Sequence, residues 1–158
     1  MAVPRRSGPS RILAIDYGRR RIGSAISDPD RTLASPLEVY ERRDHQRDLH
    51  HYRDLVVEER IERIVVGLPV HTGGGASELS IEARAWGRKL AEVCGCHVLF
   101  HDERYTSKDA DELLREAGLS PRAHRSKRDM LAAQILLQHY IEAGCPEQEA
   151  PIQPLEDQ

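Results

Sequence analysis

The stretch that decides the fold is Arg11-Ile12-Leu13-Ala14-Ile15-Asp16-Tyr17-Gly18. Its run of aliphatic residues predicts a buried central strand, and the carboxylate and glycine that follow mark the carboxyl end of that strand. Burying a carboxylate costs free energy unless a cation compensates it. Asp16 therefore predicts a divalent-metal site at this edge of a sheet, provided that further acids converge there.

Length and composition predict one globular domain. The chain has 158 residues, of which 39% are hydrophobic and 31% charged, so it can bury one core and is unlike a disordered chain. No apolar run is long enough for a membrane span and no signal-type segment opens the chain, so we expect a cytoplasmic protein without a membrane partner. We place the domain at residues 11–144, between a flexible arm (1–10) and a flexible acidic tail (145–158).

The cysteines predict no disulfide framework. Cys94, Cys96 and Cys145 form an odd set without framework spacing. Cys94-Gly95-Cys96 could supply half of a metal site, but no second cysteine pair completes it. We expect reduced thiols, as is typical of cytoplasmic proteins.

The distribution of charge indicates an anionic partner, although the net charge is −3. Residues 130–158 hold five acids and no Lys or Arg, which leaves 23 basic against 21 acidic residues in the rest of the chain. The basic residues cluster at Arg19–Arg21, Arg42–Arg43 and Arg122–Arg128. Solvated surface explains such clusters, and so does phosphate binding; their position beside candidate catalytic acids favours phosphate.

Hydrophobic periodicity predicts a mixed five-stranded sheet with helices on both faces, an α/β fold. A short link between the first two strands predicts an antiparallel hairpin, and a helix before each of the last two strands predicts that they run parallel to the first. The predicted strands are 12–15, 21–27, 37–40, 64–67 and 97–100, and the predicted helices are 46–60, 77–93, 106–117 and 127–144.

Two further acids are placed to join Asp16. Glu103 follows the last strand, and Asp129 lies in the first turn of the final predicted helix. Asp129 shares an apolar helical stripe with Ala133, Leu136 and Tyr140. Each acid has an ordinary alternative: a turn cap for Asp16, a pair with Arg104 for Glu103, and a helix-dipole contact for Asp129. A cluster of all three is what two-metal phosphoryl chemistry requires, because bridging carboxylates hold two hard cations beside the scissile phosphate.

Four sequence motifs follow one another along the chain. They are Asp16-x-Gly18 with Arg21-Ile22-Gly23-x-Ala25-x-Ser27-Asp28; Val66-Gly67-Leu68-Pro69; Asp102-Glu103-Arg104-x-Thr106; and Lys127-x-Asp129-x-x-Ala132-Ala133-x-x-Leu136. Together they resemble the YqgF-type family, whose members are regarded as pre-16S ribosomal RNA nucleases and are also called Holliday junction resolvases. The resemblance covers about residues 11–143. It implies an RNase H-like fold, a nuclease that uses Mg²⁺ or Mn²⁺, and a catalytic and metal-binding triple of Asp16, Glu103 and Asp129.

The resemblance favours RNA, a ribosomal precursor, as the partner, although no residue by itself distinguishes ribose from deoxyribose. A resolvase acting on four-way DNA and a non-catalytic RNA-binding or regulatory protein remain as alternatives, and the sequence leaves a homodimer open. The loop at Gly73–Gly75 is either a flexible connection or a segment that closes over a nucleic-acid strand. The residues expected to contact phosphates are Arg19, Arg21, Arg104, Arg122, Arg125, Lys127 and Arg128.

Overall fold

A mixed sheet forms the centre of the protein. The computed structural model describes residues 10–68, 77–102 and 121–147 together with Glu112, Arg115 and Gly118, and for Asp102 and residues 121–126 it describes the backbone alone. The strands are β1 (Arg11–Asp16), β2 (Arg21–Ser27), β3 (Ala34–Glu41), β4 (Ile61–Leu68) and β5 (His97–Asp102). The helices are α1 (His45–Glu58), α2 (Glu78–Cys94) and α3 (Pro121–Glu142). The loop at Gly73–Gly75 lies outside the described residues, and so does the predicted helix at 106–117 apart from Glu112 and Arg115, which are helical.

The strand order is β3-β2-β1-β4-β5, and the strand directions confirm the predicted hairpin and the predicted parallel strands. β1 pairs antiparallel with β2, and β2 pairs antiparallel with β3. β4 pairs parallel with β1, and β5 pairs parallel with β4. The carboxyl ends of β1, β4 and β5 therefore meet at one edge of the sheet, where Asp16 ends β1.

Both faces of the sheet are covered, as the sequence predicts. On one face Leu13 and Ile15 pack with Tyr52 of α1 and Leu90 of α2. On the other face Ile12 and Ala14 join a cluster with α3 that includes Leu136 and Tyr140. Because successive side chains of a strand point to opposite faces, the consecutive aliphatic residues of β1 supply both cores. The alternation places Asp16 on the face that α3 covers.

Two helix starts follow from short polar caps. The side chain of Asp44 accepts a hydrogen bond from the backbone N–H of Arg47 at 2.9 Å and begins α1. The Ser77 hydroxyl accepts one from the N–H of Ser80 at 3.0 Å and begins α2. Each cap satisfies one of the N–H groups that the first helical turn leaves unpaired.

The start of the last helix corrects the sequence prediction. We expected this helix to begin near Lys127, with Asp129 in its first turn, but α3 begins at Pro121. Proline suits the first turn of a helix because the N–H groups of that turn have no acceptor within the helix, so the N–H that proline lacks is not needed. The basic residues that follow are good helix formers, although they show no apolar periodicity. Asp129 therefore lies about two turns inside α3, and the positive end of the helix dipole does not account for it.

The segment after α3 is joined to the sheet through Arg63 of β4. The Nη1 group of Arg63 donates to the Tyr140 hydroxyl at 3.0 Å and to the Cys145 carbonyl at 3.1 Å. The Tyr140 hydroxyl in turn donates to the carbonyl of Pro146. The first residues of the predicted tail are thus bonded to the domain, and the tail beyond Glu147 and the arm before Ser10 lie outside the described residues. Within the described part of the chain, no helix has the length and apolar character needed to cross a membrane.

Candidate active site

Asp16 lies between two glycines in the sheet. Its register partners are Gly23 on β2 and Gly67 on β4. Neither glycine has a side chain, so no neighbouring side chain projects from the sheet on either side of the half-buried Asp16. This arrangement leaves room beside the carboxylate on the face that α3 covers.

The helix α3 uses that room at Gly23. A Cβ atom built on Gly23 would lie 2.1 Å from the carbonyl oxygen of Asp129 and 2.9 Å from its Cβ atom. Only glycine permits so close an approach of two backbones. Because Gly23 is the register partner of Asp16, the two carboxylate-bearing residues, which are 113 positions apart in sequence, are brought to neighbouring places on one face of the sheet.

Arg21 provides the counter-charge to Asp129. Its Nε group donates to Oδ2 of Asp129 at 3.2 Å, and the Asp129 side chain is 25% exposed. Burial raises the pKa of Asp129 above its ordinary value of 3.8, while the charges of Arg21 and Arg128 lower it; burial is the larger effect. A carboxylate whose burial is not fully offset by its cations can be stabilised further by added positive charge.

Tyr140 and His101 continue the same face of the sheet. His101 on β5 is the register partner of Gly67, and its ring lies 6.0 Å from that of Tyr140, centroid to centroid, in an edge-to-face arrangement. Tyr140 is buried with Ala133 and Leu136 on the inner side of α3. The prediction that Asp129 shares a helical stripe with these three residues of α3 is confirmed.

The third predicted acid, Glu103, follows the end of β5 and lies outside the described residues. Among the residues that the structure describes, no group of three or more His, Cys, Asp or Glu side chains is close enough to hold a metal ion. The described part of the predicted triple is therefore the pair of Asp16 and Asp129, which both offer the carboxylate oxygens that hard divalent cations prefer.

The predicted phosphate-binding residues separate into two groups. Arg19 turns to α2, where its Nε group donates to Glu82 at 2.9 Å, whereas Arg21 turns to α3. Lys127 and Arg128 are exposed on α3, close to Asp129 in sequence. The side chains of Arg104, Arg122 and Arg125 lie outside the described residues. Of the predicted phosphate-binding residues, Arg21 contacts Asp129, and Lys127 and Arg128 lie within two positions of it on α3.

Arg42 corrects the interpretation of its cluster as phosphate-binding surface. Its side chain is 15% exposed and its Nε group donates to Asp48 at 3.0 Å, so it faces the interior of the protein. The sequence analysis did not identify Asp48, although its helical spacing indicates a buried position. It lies four residues before Tyr52 and seven before Leu55, on the buried stripe of α1.

Sequence comparison finds relatives that match most of this chain. A 41% identical relative from Rhodopirellula baltica covers 84% of this chain and 77% of its own length. A relative from Koribacter versatilis is 36% identical and covers 90% of this chain and 93% of its own length. Both are named "Putative pre-16S rRNA nuclease".

Solved structures confirm the predicted RNase H-like fold class. Thermus thermophilus RuvC superimposes with a TM-score of 0.56 at 16% identity, over 92% of this chain and 99% of that one. The fowlpox virus resolvase, solved with Holliday junction DNA, gives a TM-score of 0.55 at 9% identity, over 86% of this chain and 99% of that one. At such identities the likeness concerns the fold alone.

A family model settles the relationship by sequence. The RuvX model, described as a Holliday junction resolvase, matches residues 10–143. That range includes every strand of the sheet and both described carboxylates of the site. With relatives above 30% identity along most of its length, the chain belongs to the RuvX family.

Proposed function

We propose that this protein is a nuclease that hydrolyses phosphodiester bonds with the help of a divalent cation, and that it processes the 5′ end of pre-16S ribosomal RNA in ribosome biogenesis in the cytoplasm. The observation that carries the proposal is the close approach of α3 to β2 at Gly23, the register partner of Asp16, which brings Asp16 and Asp129 to one face of the sheet. The names of the relatives from Rhodopirellula baltica and Koribacter versatilis favour the RNA substrate.

The carboxylates fit Mg²⁺ or Mn²⁺ as a ligand set. Both are oxygen donors, and the burial that raises the pKa of Asp129 would be compensated by a cation. We propose Asp16, Asp129 and Glu103, the residue that follows β5, as its ligands. A bound divalent cation would stabilise charge on the scissile phosphate and lower the pKa of the attacking water.

The basic side chains around this pair have a separate role in the proposal. Arg21 neutralises Asp129 in the structure, and its guanidinium group can also pair with a phosphate oxygen in a bidentate manner. Lys127 and Arg128 on the exposed side of α3, with Arg122, Arg125 and Arg104, would hold the nucleic-acid backbone. Such contacts position a strand beside the carboxylates without reading its sequence.

A cleavage assay tests this function directly. A labelled transcript of a 16S 5′ leader is incubated with the wild type, the Asp16→Asn variant and an Asp54→Asn control in Mg²⁺ or Mn²⁺. Asp54 is an exposed residue of α1, so its variant should cleave at the wild-type rate. We expect Asp16→Asn to remove nearly all cleavage while the protein stays folded. Full activity of Asp16→Asn would refute the assignment.

A junction-resolving activity is the second candidate, because the matching family model is described as a Holliday junction resolvase. The same assay with a four-way DNA junction, at equal salt and metal concentration, separates the two. Faster cleavage of the junction with paired symmetric nicks would favour the resolvase. Binding of RNA without cleavage in either metal would indicate a non-catalytic RNA-binding protein.

A further inference from the structure

The turn between β1 and β2 starts directly after Asp16 and comprises residues 17–20. It is tight at Gly18, where an added Cβ atom would lie 2.3 Å from the carbonyl oxygen of Arg21. The conformation of this turn decides how Asp16 leaves the strand. A side chain that holds the turn therefore also constrains the backbone next to Asp16.

Arg42 holds the turn at several points. Its backbone N–H donates to the carbonyl of Arg20 at 2.9 Å. Its Nη1 group donates to the Tyr17 hydroxyl at 2.8 Å and to the carbonyl of Gly18 at 3.3 Å. The guanidinium carbon also lies 5.0 Å from the centroid of the Tyr17 ring, within the range of a cation–π contact. One side chain and its backbone thus bind three residues of the turn.

Asp48 holds Arg42 in place. Its Oδ2 atom accepts from Nε of Arg42 at 3.0 Å. Its Oδ1 atom accepts from the Tyr40 hydroxyl at 2.8 Å and from the backbone N–H of Arg43 at 2.9 Å. Burial raises the pKa of Asp48, but the N–H and hydroxyl donors and the charge of Arg42 outweigh it, and the net shift is downward. Asp48, which is 1% exposed, is therefore an ionised and fully engaged partner.

A buried ion pair of this kind is weak evidence for stability, since well-packed apolar residues often stabilise a fold as well or better. The ion pair instead fixes the orientation of the Arg42 guanidinium group. A guanidinium group presents its donors in one rigid plane, so a group fixed on one side by a carboxylate has its other N–H groups aimed at defined acceptors. In this protein those acceptors belong to the turn that follows Asp16.

We propose that Arg42, oriented by Asp48, is a positioning residue that fixes the turn at residues 17–20 and through it the direction of the Asp16 carboxylate. The inference rests on the proposed function, in which Asp16 is catalytic. It predicts that Arg42 acts on the rate of cleavage rather than on the affinity for nucleic acid. Displacing a catalytic group by about 1 Å can cost on the order of a hundredfold in rate.

The test compares Arg42→Lys with Arg63→Lys. Arg63 is a matched control because its side chain is 11% exposed and binds the Tyr140 hydroxyl and the Cys145 carbonyl, beside the start of β4 and away from Asp16. For each variant, kcat and KM are measured on the 16S leader transcript in Mg²⁺, and the free energy of unfolding is measured in urea. We expect Arg42→Lys to lower kcat about tenfold to a hundredfold with KM within about twofold. Arg63→Lys should lose stability with little change in kcat.

A milder variant, Tyr17→Phe, removes one acceptor for Arg42 and covers the case in which Arg42→Lys does not fold. It should lower kcat less than Arg42→Lys does, and amide hydrogen exchange at residues 17–20 should be faster in both variants than in the wild type. Two results would overturn the positioning role alone, provided that the wild type cleaves. One is an unchanged kcat in both Arg42→Lys and Tyr17→Phe, and the other is an equal decrease of kcat in Arg42→Lys and Arg63→Lys. A wild type that cleaves neither substrate would overturn the proposed function and this role together.

Discussion

Replacing Gly23 with alanine tests the close approach that assembles the candidate site. The added Cβ atom would lie 2.1 Å from the carbonyl oxygen and 2.3 Å from the carbonyl carbon of Asp129. Real Cβ atoms essentially never approach closer than 3.0 Å, so the oxygen must retreat by about 0.9 Å. The obstructing atoms belong to the backbone of α3 and cannot rotate away as the end of a side chain can.

The displacement has two consequences of different size. Overpacking of this kind costs about 1–3 kcal/mol of stability, and the lower chain entropy of alanine offsets part of that cost. The effect on catalysis is larger, because a shift of about 1 Å at a catalytic group can cost on the order of a hundredfold in rate. We therefore expect Gly23→Ala to fold and to cleave the 16S leader about a hundred times more slowly than the wild type.

A second glycine supplies the control. A Cβ atom on Gly87 would lie 2.6 Å from the ring of Phe100, in the core on the face opposite to α3. Gly87→Ala should thus create a clash in the core that movement of the Phe100 ring can partly relieve, while Asp129 stays in place. Urea denaturation and the cleavage rate are measured for both variants. Wild-type activity in Gly23→Ala, or the same decrease of activity in Gly87→Ala, would refute the reasoning.

Three further predictions concern charge. Burial raises the pKa of Asp129 above 3.8. The contribution of Asp129 to stability is therefore complete below pH 3.8 and disappears as the pH rises through its folded pKa. In urea titrations from pH 3 to 7, the stability of Asp129→Asn should rise relative to that of the wild type as the pH increases. The pKa of Asp48 is lowered from 3.8, so its contribution is present above that pH and disappears as the pH falls through the folded pKa. Asp48→Asn should accordingly cost about 3 kcal/mol at pH 7 and less in acid, and a constant cost would contradict this. Changing Arg122, Arg125 and Arg128 to alanine should lower the slope of log K against log salt by about 0.7 for each phosphate on single-stranded RNA that is no longer neutralised, and an unchanged slope would mean that these residues are solvated surface.

Local pattern determines most of the fold. The aliphatic run of β1, the short link to β2 and the caps at Asp44 and Ser77 are properties of neighbouring residues. They decide strand, hairpin and helix because the backbone and its nearest side chains alone carry the preference. The start of α3 could not be predicted, because its first residues, Pro121 and the basic residues after it, carry no apolar periodicity. Helix propensity alone favours a helix there.

The candidate site needed the sequence for its members and the tertiary structure for its assembly. Asp16 and Asp129 stand out as charges on apolar patterns, and their residue types alone suggest chemistry with cations. Their proximity depends on Gly23, whose missing side chain admits the backbone of α3 from over a hundred residues away. The inward direction of Arg42 depends likewise on Asp48 in another element. No local pattern encodes either arrangement, because each is decided by the space and the charge that a distant segment brings.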